Sequence, residues 1–504
     1  MKRNKFSLSH YKLLSCNQGQ LIPCGLTEVL PGDTVQQSTS ALIRVQPLNA
    51  PVMHPVHARI HHWFVPHRLV WNDWENFITG GPDGLNASTF PTVTLASGAA
   101  VGSLSDYLGV PTGINGIEFS ALPLRAYALV WNEFYRDQDL QTALTIDKTD
   151  GADTTTNQTL QNVCWQKDYF TTSRPWTQKG AEVTIPLGER AYVKGIAKNT
   201  TAFGGTATGY ESDGTSVNWN DAKTIQGSAG ADNTFYVQSH TVGGTKVPEI
   251  YADLSSATAA SINDLREAFA FQRYEEARAR YGSRYSEYLR YLGIRSSDAR
   301  LQRPEYLGGG KQTIQFSEVL QTAPVYDSTE EEFVGDVGAL KGHGIGAMRS
   351  NRYRRFFEEH GYVISMFSVQ PITVYMQGLA RTLNRRTKYD FFQKELQHIG
   401  QQEVLNKEVY AADSGPNDTF GYQDRYDEYR RTESTVAGEF RDTLKYWHMA
   451  REFSSDVTLN GDFVKSNPTN RIYADTSSHQ LLVMVNHSIQ ARRMVAASGS
   501  SFIY

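Results

Sequence analysis

Cysteine is scarce in this 504-residue chain: only Cys16, Cys24 and Cys164 occur. So small and odd a set excludes a disulfide framework and fits reduced thiols in a reducing compartment. Nothing beside Cys16 and Cys24 completes a metal-ligand spacing. Long hydrophobic runs are also missing. The apolar stretch Leu481 to Val485 is strand-sized, far short of the roughly 20 residues that span a bilayer. The basic start, Met1-Lys-Arg-Asn-Lys5, is followed by Ser7, Ser9, His10 and Lys12 rather than an apolar segment. No signal peptide and no export through a membrane are therefore expected. An excess of one charge is absent too. Lys plus Arg number 49 against 53 Asp plus Glu, a formal charge of −4. That excludes a protein driven onto nucleic acid by net charge alone. With 40% hydrophobic and 20% charged residues, wholesale disorder is excluded as well.

Aromatic residues, by contrast, are plentiful: 27 Tyr, 23 Phe and 8 Trp. The 41 Gly and 18 Pro suit many turns and long loops. Residues 39–70 read as extended, with prolines at positions compatible with strand starts and edges. A short helix is expected over 72–78, capped by Asn72 and stopped at Gly80-Gly81. A longer one is expected over 123–139, where Leu124, Ala128, Trp131 and Tyr135 form a stripe behind Pro123. The clearest helical period runs over 262–292, with Gly282 as a point of bending or breakage. Phe391 to Leu405 is expected to be helical. Tyr362 to Val369 is nearly all apolar, as in a strand covered on both faces. Residues 481–489 alternate, with Leu481, Val483, Val485, His487 and Ile489 on one side. Strands so far apart in sequence share a sheet only by non-local pairing, as in Greek-key sandwiches and jelly rolls.

Two stretches, 141–163 and 197–247, differ in kind. In the second, Gly, Thr, Ser and Asn supply 25 of 51 residues. Ordered flanks favour a surface insertion over a structureless link.

Sequence motifs for catalysis do not hold up. Gly308-Gly-Gly-Lys311-Gln-Thr313 departs from the phosphate-loop pattern on both sides of its lysine. It reads as a loop leading into a strand from Thr313 to Phe316. Gly342, Gly344 and Gly346 are not a dinucleotide fingerprint and read as flexible backbone or close packing. His54, His57, His61, His62 and His67 cluster in sequence, yet strand geometry sends His62 away from His57 and His61. They read as structural or interface histidines, able to titrate near neutrality. No nucleophile elbow or zinc-protease helix occurs. No catalytic residue, metal site or cofactor is nominated.

Basic and aromatic residues do interleave. Residues 262–303 hold nine Arg among Tyr274, Tyr281, Tyr285, Tyr288 and Tyr291. Candidate nucleic-acid contacts are Lys2, Arg3, Lys5, Arg278, Arg280, Arg284, Arg349, Arg352, Arg354, Arg355, Arg385 and Arg386. Arg beside stacking aromatics suits sequence-tolerant single-strand binding. The same residues are enriched at protein–protein interfaces.

Longer segments carry a family resemblance. Pro55-Val-His-Ala-Arg-Ile-His-His-Trp-Phe-Val-Pro-His67, Arg278-Ala-Arg-Tyr-Gly-Ser-Arg-Tyr285 and Asp298-Ala-Arg-Leu-Gln-Arg-Pro-Glu-Tyr-Leu-Gly-Gly-Gly-Lys-Gln-Thr313 resemble the major capsid proteins of microviruses. So do Gln397-His-Ile-Gly-Gln-Gln-Glu403, Gly421-Tyr-Gln-Asp-Arg-Tyr-Asp-Glu-Tyr429 and Asn486-His-Ser-Ile-Gln-Ala-Arg-Arg493, with the gokushovirus branch the most similar. The resemblance follows the chain in order and weakens across 141–163 and 197–247.

It implies a mainly β fold: one viral jelly-roll β-barrel over 1–504, with long loop and helical insertions. It further implies a non-enzymatic T=1 icosahedral shell around a circular single-stranded DNA genome, assembled in the cytoplasm of a bacterial host. Implied partners are other copies of the chain, the genome, an internal scaffolding protein, a small DNA-associated protein and a host cell-surface receptor. By position, 197–247 would be a three-fold protrusion touching the host, with Phe203, Tyr210, Trp219, Phe235 and Tyr236 as candidate contacts. Two other classes remain open to the residues themselves: an all-β carbohydrate-binding or carbohydrate-active protein, and a dedicated single-strand DNA-binding protein.

Overall fold

The computed structural model describes residues 3–82, 85–181, 183, 192–194, 209–210, 216–217, 239–242, 245–248, 251–253, 262–281, 302–327, 332–334 and 337–497. They divide into two compact units, Met1–Thr177 with Arg278–Tyr504, and Gln178–Ala277.

Alternation decides how the first unit is built. Eight strands are numbered in chain order: β1 His10–Cys16, β2 Ile22–Val29, β3 Thr34–Val45, β4 Val56–Pro66, β5 Glu305–Leu320, β6 Leu340–Arg349, β7 Gly361–Pro371 and β8 Leu481–Arg493. In β8 the expected side, Leu481, Val483, Val485, His487 and Ile489, is buried, and Leu482, Met484, Asn486 and Ser488 are exposed. Non-local pairing gives two antiparallel sheets, β1-β8-β3-β6 and β5-β4-β7-β2. The long β5 joins them: Glu305 to Ile314 pairs with β4, and Gln315 to Leu320 pairs with β6. Both sheets feed one core. Cys16, Ile43, Met348 and Val483 from the first meet Ile22, Ile60, Ile314 and Phe367 from the second. A sheet that curls until its two halves share a core is the jelly-roll arrangement, and the fold is mainly β, as the resemblance implies.

The triple glycine is not a loop. Gly308, Gly309 and Gly310 lie inside β5. Their lack of side chains is what lets neighbouring backbone approach. A Cβ on Gly309 would sit 2.3 Å from the Ile60 carbonyl oxygen, and one on Gly310 would sit 2.8 Å from that of Arg349. Gly342 in β6 packs similarly, its Cβ position 2.4 Å from the Ala50 carbonyl oxygen.

Two long stretches of sequence separate the barrel strands, 67–304 between β4 and β5 and 372–480 between β7 and β8. The first contains helix α1, Leu122–Phe134, with Pro123 in its first turn. Its Leu124, Tyr127 and Trp131 pack on Trp63 and Val65 of β4 and Ile364 and Met366 of β7. That cover explains the unbroken apolar run of β7, buried on both faces. The helix is shorter than expected. It ends at Phe134, where the amides of Tyr135 and Arg136 both donate to the Trp131 carbonyl. The Asp137 amide then turns to the Gln141 side chain. The expected helix near 72–78 is present as Trp74–Thr79, closed by left-handed Gly80.

The second insertion departs further from expectation. Residues 391–405 are not one helix. A short 3-10 turn, Lys394–His398, gives way to a strand, Gln401–Leu405. Gln402 and Val404 bury on alternate positions as the strand pairs with Thr419–Asp424. Period two wins here because Val404 completes a cluster with Tyr169, Phe170, Tyr375, Phe420 and Phe463.

In the second unit, Ser239–Val242 pairs with Thr245–Pro248, and Tyr192–Lys194 with Tyr251–Asp253. The periodic 262–292 segment is helical over Ile262–Tyr281; the rest lies outside the described residues. So does most of 197–247.

Candidate nucleic-acid interface

The outer faces of the two sheets differ. On that of β5-β4-β7-β2, α1 covers β4 and β7, while β5 leaves Tyr306, Lys311 and Thr313 exposed. That of β1-β8-β3-β6 exposes Tyr11, Leu13, Leu482 and Met484 to solvent. At one end of this open sheet, two short strands widen it. Asn4–Ser7 pairs with the end of β8, and Tyr353–Phe356 pairs with the start of β3.

Register fixes which side chains share the open face. Lys5 stands opposite Arg492, Arg492 opposite Thr34, and Thr34 opposite Phe356. Two residues along, Ser7, Gln490, Gln36 and Arg354 make the next row. Ile489, Ala491, Val35 and Tyr353 alternate with them and are buried. Following the same parity along β3 and β6 adds Arg44, Lys341 and Arg349. The open face thus carries six basic strand positions: Lys5, Arg44, Lys341, Arg349, Arg354 and Arg492. Among the described residues, no Asp or Glu occupies an outward strand position of this sheet.

Flanking residues reinforce the basic end. Arg3 donates to the Thr34 hydroxyl at 3.2 Å and lies 5.0 Å over the exposed Phe356 ring. Arg352 reaches the Gln36 side-chain carbonyl at 3.2 Å in the amide orientation that satisfies both ends. Arg349 donates to the Ser38 hydroxyl at 3.3 Å. These are neutral partners, so the cations keep their charge for an outside anion. Arg493, one residue out of phase, is instead neutralised by Asp33 at 2.9 Å.

The sequence candidates therefore separate. Arg3, Lys5, Arg349, Arg352 and Arg354 come together on one face. Arg355 does not join them: it shares parity with buried Val35 and pairs with Glu305 at 3.1 Å. Arg280 lies 3.5 Å from Asp424. Arg385 pairs with Glu428 at 3.4 Å and sits 4.4 Å over the Tyr429 ring, an arrangement that holds the second insertion together. Arg386 is exposed, and its backbone amide donates to Asp390. Lys2 and Arg284 lie outside the described residues, and of Arg278 the backbone alone is described. Sequence reading missed Arg44, Lys341 and Arg492. The alternation of 481–489, carried two steps further, would have found Arg492.

The histidine cluster is structural. His62 points into the barrel, its Nδ1 2.8 Å from the Ser365 hydroxyl and its Nε2 3.2 Å from that of Ser350. His61 faces the other way, 2.7 Å from the Tyr135 hydroxyl. Burial pushes His54, His61 and His67 down to about 4 and His62 to about 3. These rings are neutral near pH 7, contrary to the expectation that they titrate there. Cys16 and Cys24 are free and buried in the core, and burial lifts both thiols to about 12. Among the described residues no cluster of His, Cys, Asp or Glu is arranged to hold a metal. No described helix is long and apolar enough to cross a membrane.

Of the host-contact candidates, Phe203, Trp219, Phe235 and Tyr236 lie outside the described residues. Tyr210 belongs to a two-residue strand paired with Ser216–Val217.

Residues 1–502 match the family described as "Capsid protein (F protein)". The chain is 36% identical to capsid protein VP1 of Bdellovibrio phage phiMH2K, over 92% of this chain and 88% of the relative. It is 32% identical to capsid protein VP1 of Chlamydia phage 1, over 94% and 91% of the two chains. Identity to capsid protein VP1 of Spiroplasma virus 4 is 31%, over 93% and 88%.

Proposed function

Because the chain belongs to the capsid protein (F protein) family, and so is a structural component of a virion capsid and not an enzyme, we propose that it builds a T=1 icosahedral shell around a circular single-stranded DNA genome. The whole of 1–504 acts as one elaborated jelly-roll subunit, and assembly takes place in the bacterial cytoplasm. The acid-free outward face of the β1-β8-β3-β6 sheet is the observation that supports a genome contact. Its six basic positions come from five separate strands, so folding creates the charge density that a chain of net charge −4 lacks overall. Contacts of this kind go to phosphates and read no sequence. An internal scaffolding protein and a small DNA-associated protein of the same virus complete assembly. The stretch 197–247 projects at the three-fold axes and meets a host cell-surface receptor.

Negative-stain electron microscopy of native material, with and without nuclease, tests the shell. Uniform small icosahedral particles with nuclease-protected single-stranded DNA are the expected result. Failure to form particles even with co-expressed scaffolding overturns the reading. Replacing 205–240 by a short linker should leave particles intact and abolish adsorption; loss of particles would make that stretch an assembly element.

A further inference from the structure

Away from the open sheet, on the outer side of β4 and β7, a cavity of about 420 Å³ lies between the barrel and the turn after α1. Its lining combines cations with an aromatic wall. Arg59 and His61 come from β4, Phe134 and Arg136 from the end of α1, and Lys167 and Arg174 from the loops beyond.

The charges do not cancel. Asp137 is committed inside the protein. Burial pushes its carboxyl up, but Lys167 and Arg174 outweigh that and hold it below the usual range. Asp137 pairs with Lys167 and lies 3.5 Å from Arg174, which also reaches Asp139 at 3.3 Å. Arg59 and Arg136 are left without a carboxylate partner among the described residues. Arg59 has the Gln166 carbonyl at 3.5 Å. Arg136 donates to the backbone carbonyls of Gln141 at 2.7 Å and Gln138 at 3.5 Å, and its Nε is buried with no partner. Two guanidiniums held by neutral oxygens beside one cavity form a site for an anion.

The aromatic wall narrows the kind of anion. Phe134 stacks on Trp63 at 4.0 Å between centroids, and is still 37% exposed. The His61 ring stays neutral, so it extends the wall without adding charge. Cys164 on the rim is no nucleophile, because burial raises its thiol to about 11. A flat ring beside paired guanidiniums matches a base joined to a phosphodiester.

We propose that this cleft is a second nucleic-acid site, which grips a phosphodiester of single-stranded DNA with Arg59 and Arg136 and stacks the adjoining base on Phe134. The inference rests on the genome-enclosing reading but uses a different sheet and different residues from the open basic face.

The test uses the full-length subunit, a fluorescent ten-residue oligothymidylate, and dTMP and inorganic phosphate as competitors. Arg59→Gln should weaken oligonucleotide binding on the order of tenfold and lower the salt slope by about 0.7, the share of one phosphate on a single strand. Arg59→Lys should restore the slope. Phe134→Leu should weaken binding on the order of tenfold without changing the slope. Cross-linking of bromodeoxyuridine-substituted oligonucleotide to the wild-type protein should label the tryptic peptide 126–136, a readout independent of how the variants fold. If Arg354→Gln weakens binding while the cleft variants do not and that peptide stays unlabelled, the inference fails and the genome-contact reading survives. If dTMP or phosphate displaces the oligonucleotide at equal concentration, the cleft is a small-anion site and the inference fails. If the wild-type chain binds no oligonucleotide at all, both fail together.

Discussion

Arg125 and Asp153 form an ion pair in which neither side chain touches solvent, with Nε and Oδ2 2.8 Å apart. Arg125 rises from α1 and also donates to the carbonyls of Val70 and Thr149. Asp153 accepts from the Thr156 hydroxyl and amide. The pair ties three segments of the first insertion to the helix that covers β4 and β7. A fully buried pair is costly to break from one side, because the remaining charge has no water. Asp153→Ala should therefore destabilise the subunit by about 3–5 kcal/mol. The double variant Arg125→Met/Asp153→Ala should recover part of that loss. Urea unfolding of the unassembled subunit measures both, and equal stability of the single and double variants would show that the stranded charge is not the cause.

The open basic face predicts graded behaviour. Arg354→Gln and Arg492→Gln should each remove about 0.7 from the salt slope of single-strand binding, roughly additively. Arg355→Gln should leave the slope unchanged, because that guanidinium faces the other way and is engaged by Glu305. A fluorescence titration at several salt concentrations decides. An Arg355 effect as large as that of Arg354 would mean that register does not select the contacts.

How much of this was legible before folding depends on the range of the interaction. The inward side of β8 and the opposite orientations of His61 and His62 follow from a period of two, a local property of the backbone. The helix α1 was visible because its stripe and its proline agree. The strand at Gln401–Leu405 was not, since Val404 turns inward to meet Phe420 and Phe463, neighbours that a window of sequence does not contain. The same limit hid the basic face. Lys5, Arg44, Lys341, Arg354 and Arg492 lie on five strands that only non-local pairing brings side by side. It also hid the roles of Arg355 and Arg385, whose acidic partners are 50 and 43 residues away.

The glycines of β5 carry a sharper expectation. At Gly309 a methyl group would meet the Ile60 carbonyl oxygen at 2.3 Å and the Tyr306 hydroxyl at 2.7 Å. The first of these is backbone of the adjacent strand, which cannot turn aside. Gly309→Ala should push β4 and β5 apart and cost at least about 1–3 kcal/mol. Lys311→Ala, an exposed position on the same strand, should cost little. Thermal unfolding of both variants compares them directly, and equal midpoints would contradict the close approach.

Acid should weaken the barrel from within. His62 and His487 lie among Gln37, Thr39, Ser350, Ser365 and Tyr353, between apolar layers. His487 Nδ1 is 2.9 Å from the Thr39 hydroxyl, and Tyr353 donates to Gln37 at 2.7 Å. Burial pushes His62 down to about 3, and nearby His487 and His61 oppose its charge further. Burial holds His487 at about 4 against its hydrogen bond with the Cys24 carbonyl, while His10 and Lys12 add repulsion. An unfolded chain takes up these protons near pH 6.5. Between that value and the folded ones the unfolded state binds more protons, so stability falls as pH falls. It is fully present above the unfolded value. At pH 5 each such histidine should cost about 2 kcal/mol. His54, His61 and His67 act in the same direction, as do His57 and His448, which burial also holds down, so the slope is shared among all of these rings. His62→Gln, which keeps polar atoms near Ser350 and Ser365, should remove one proton's share of the dependence between pH 4.5 and 7. Urea midpoints across that range give the slope directly. A variant as acid-sensitive as the wild type would mean that His62 is not among the groups whose protonation opens the barrel.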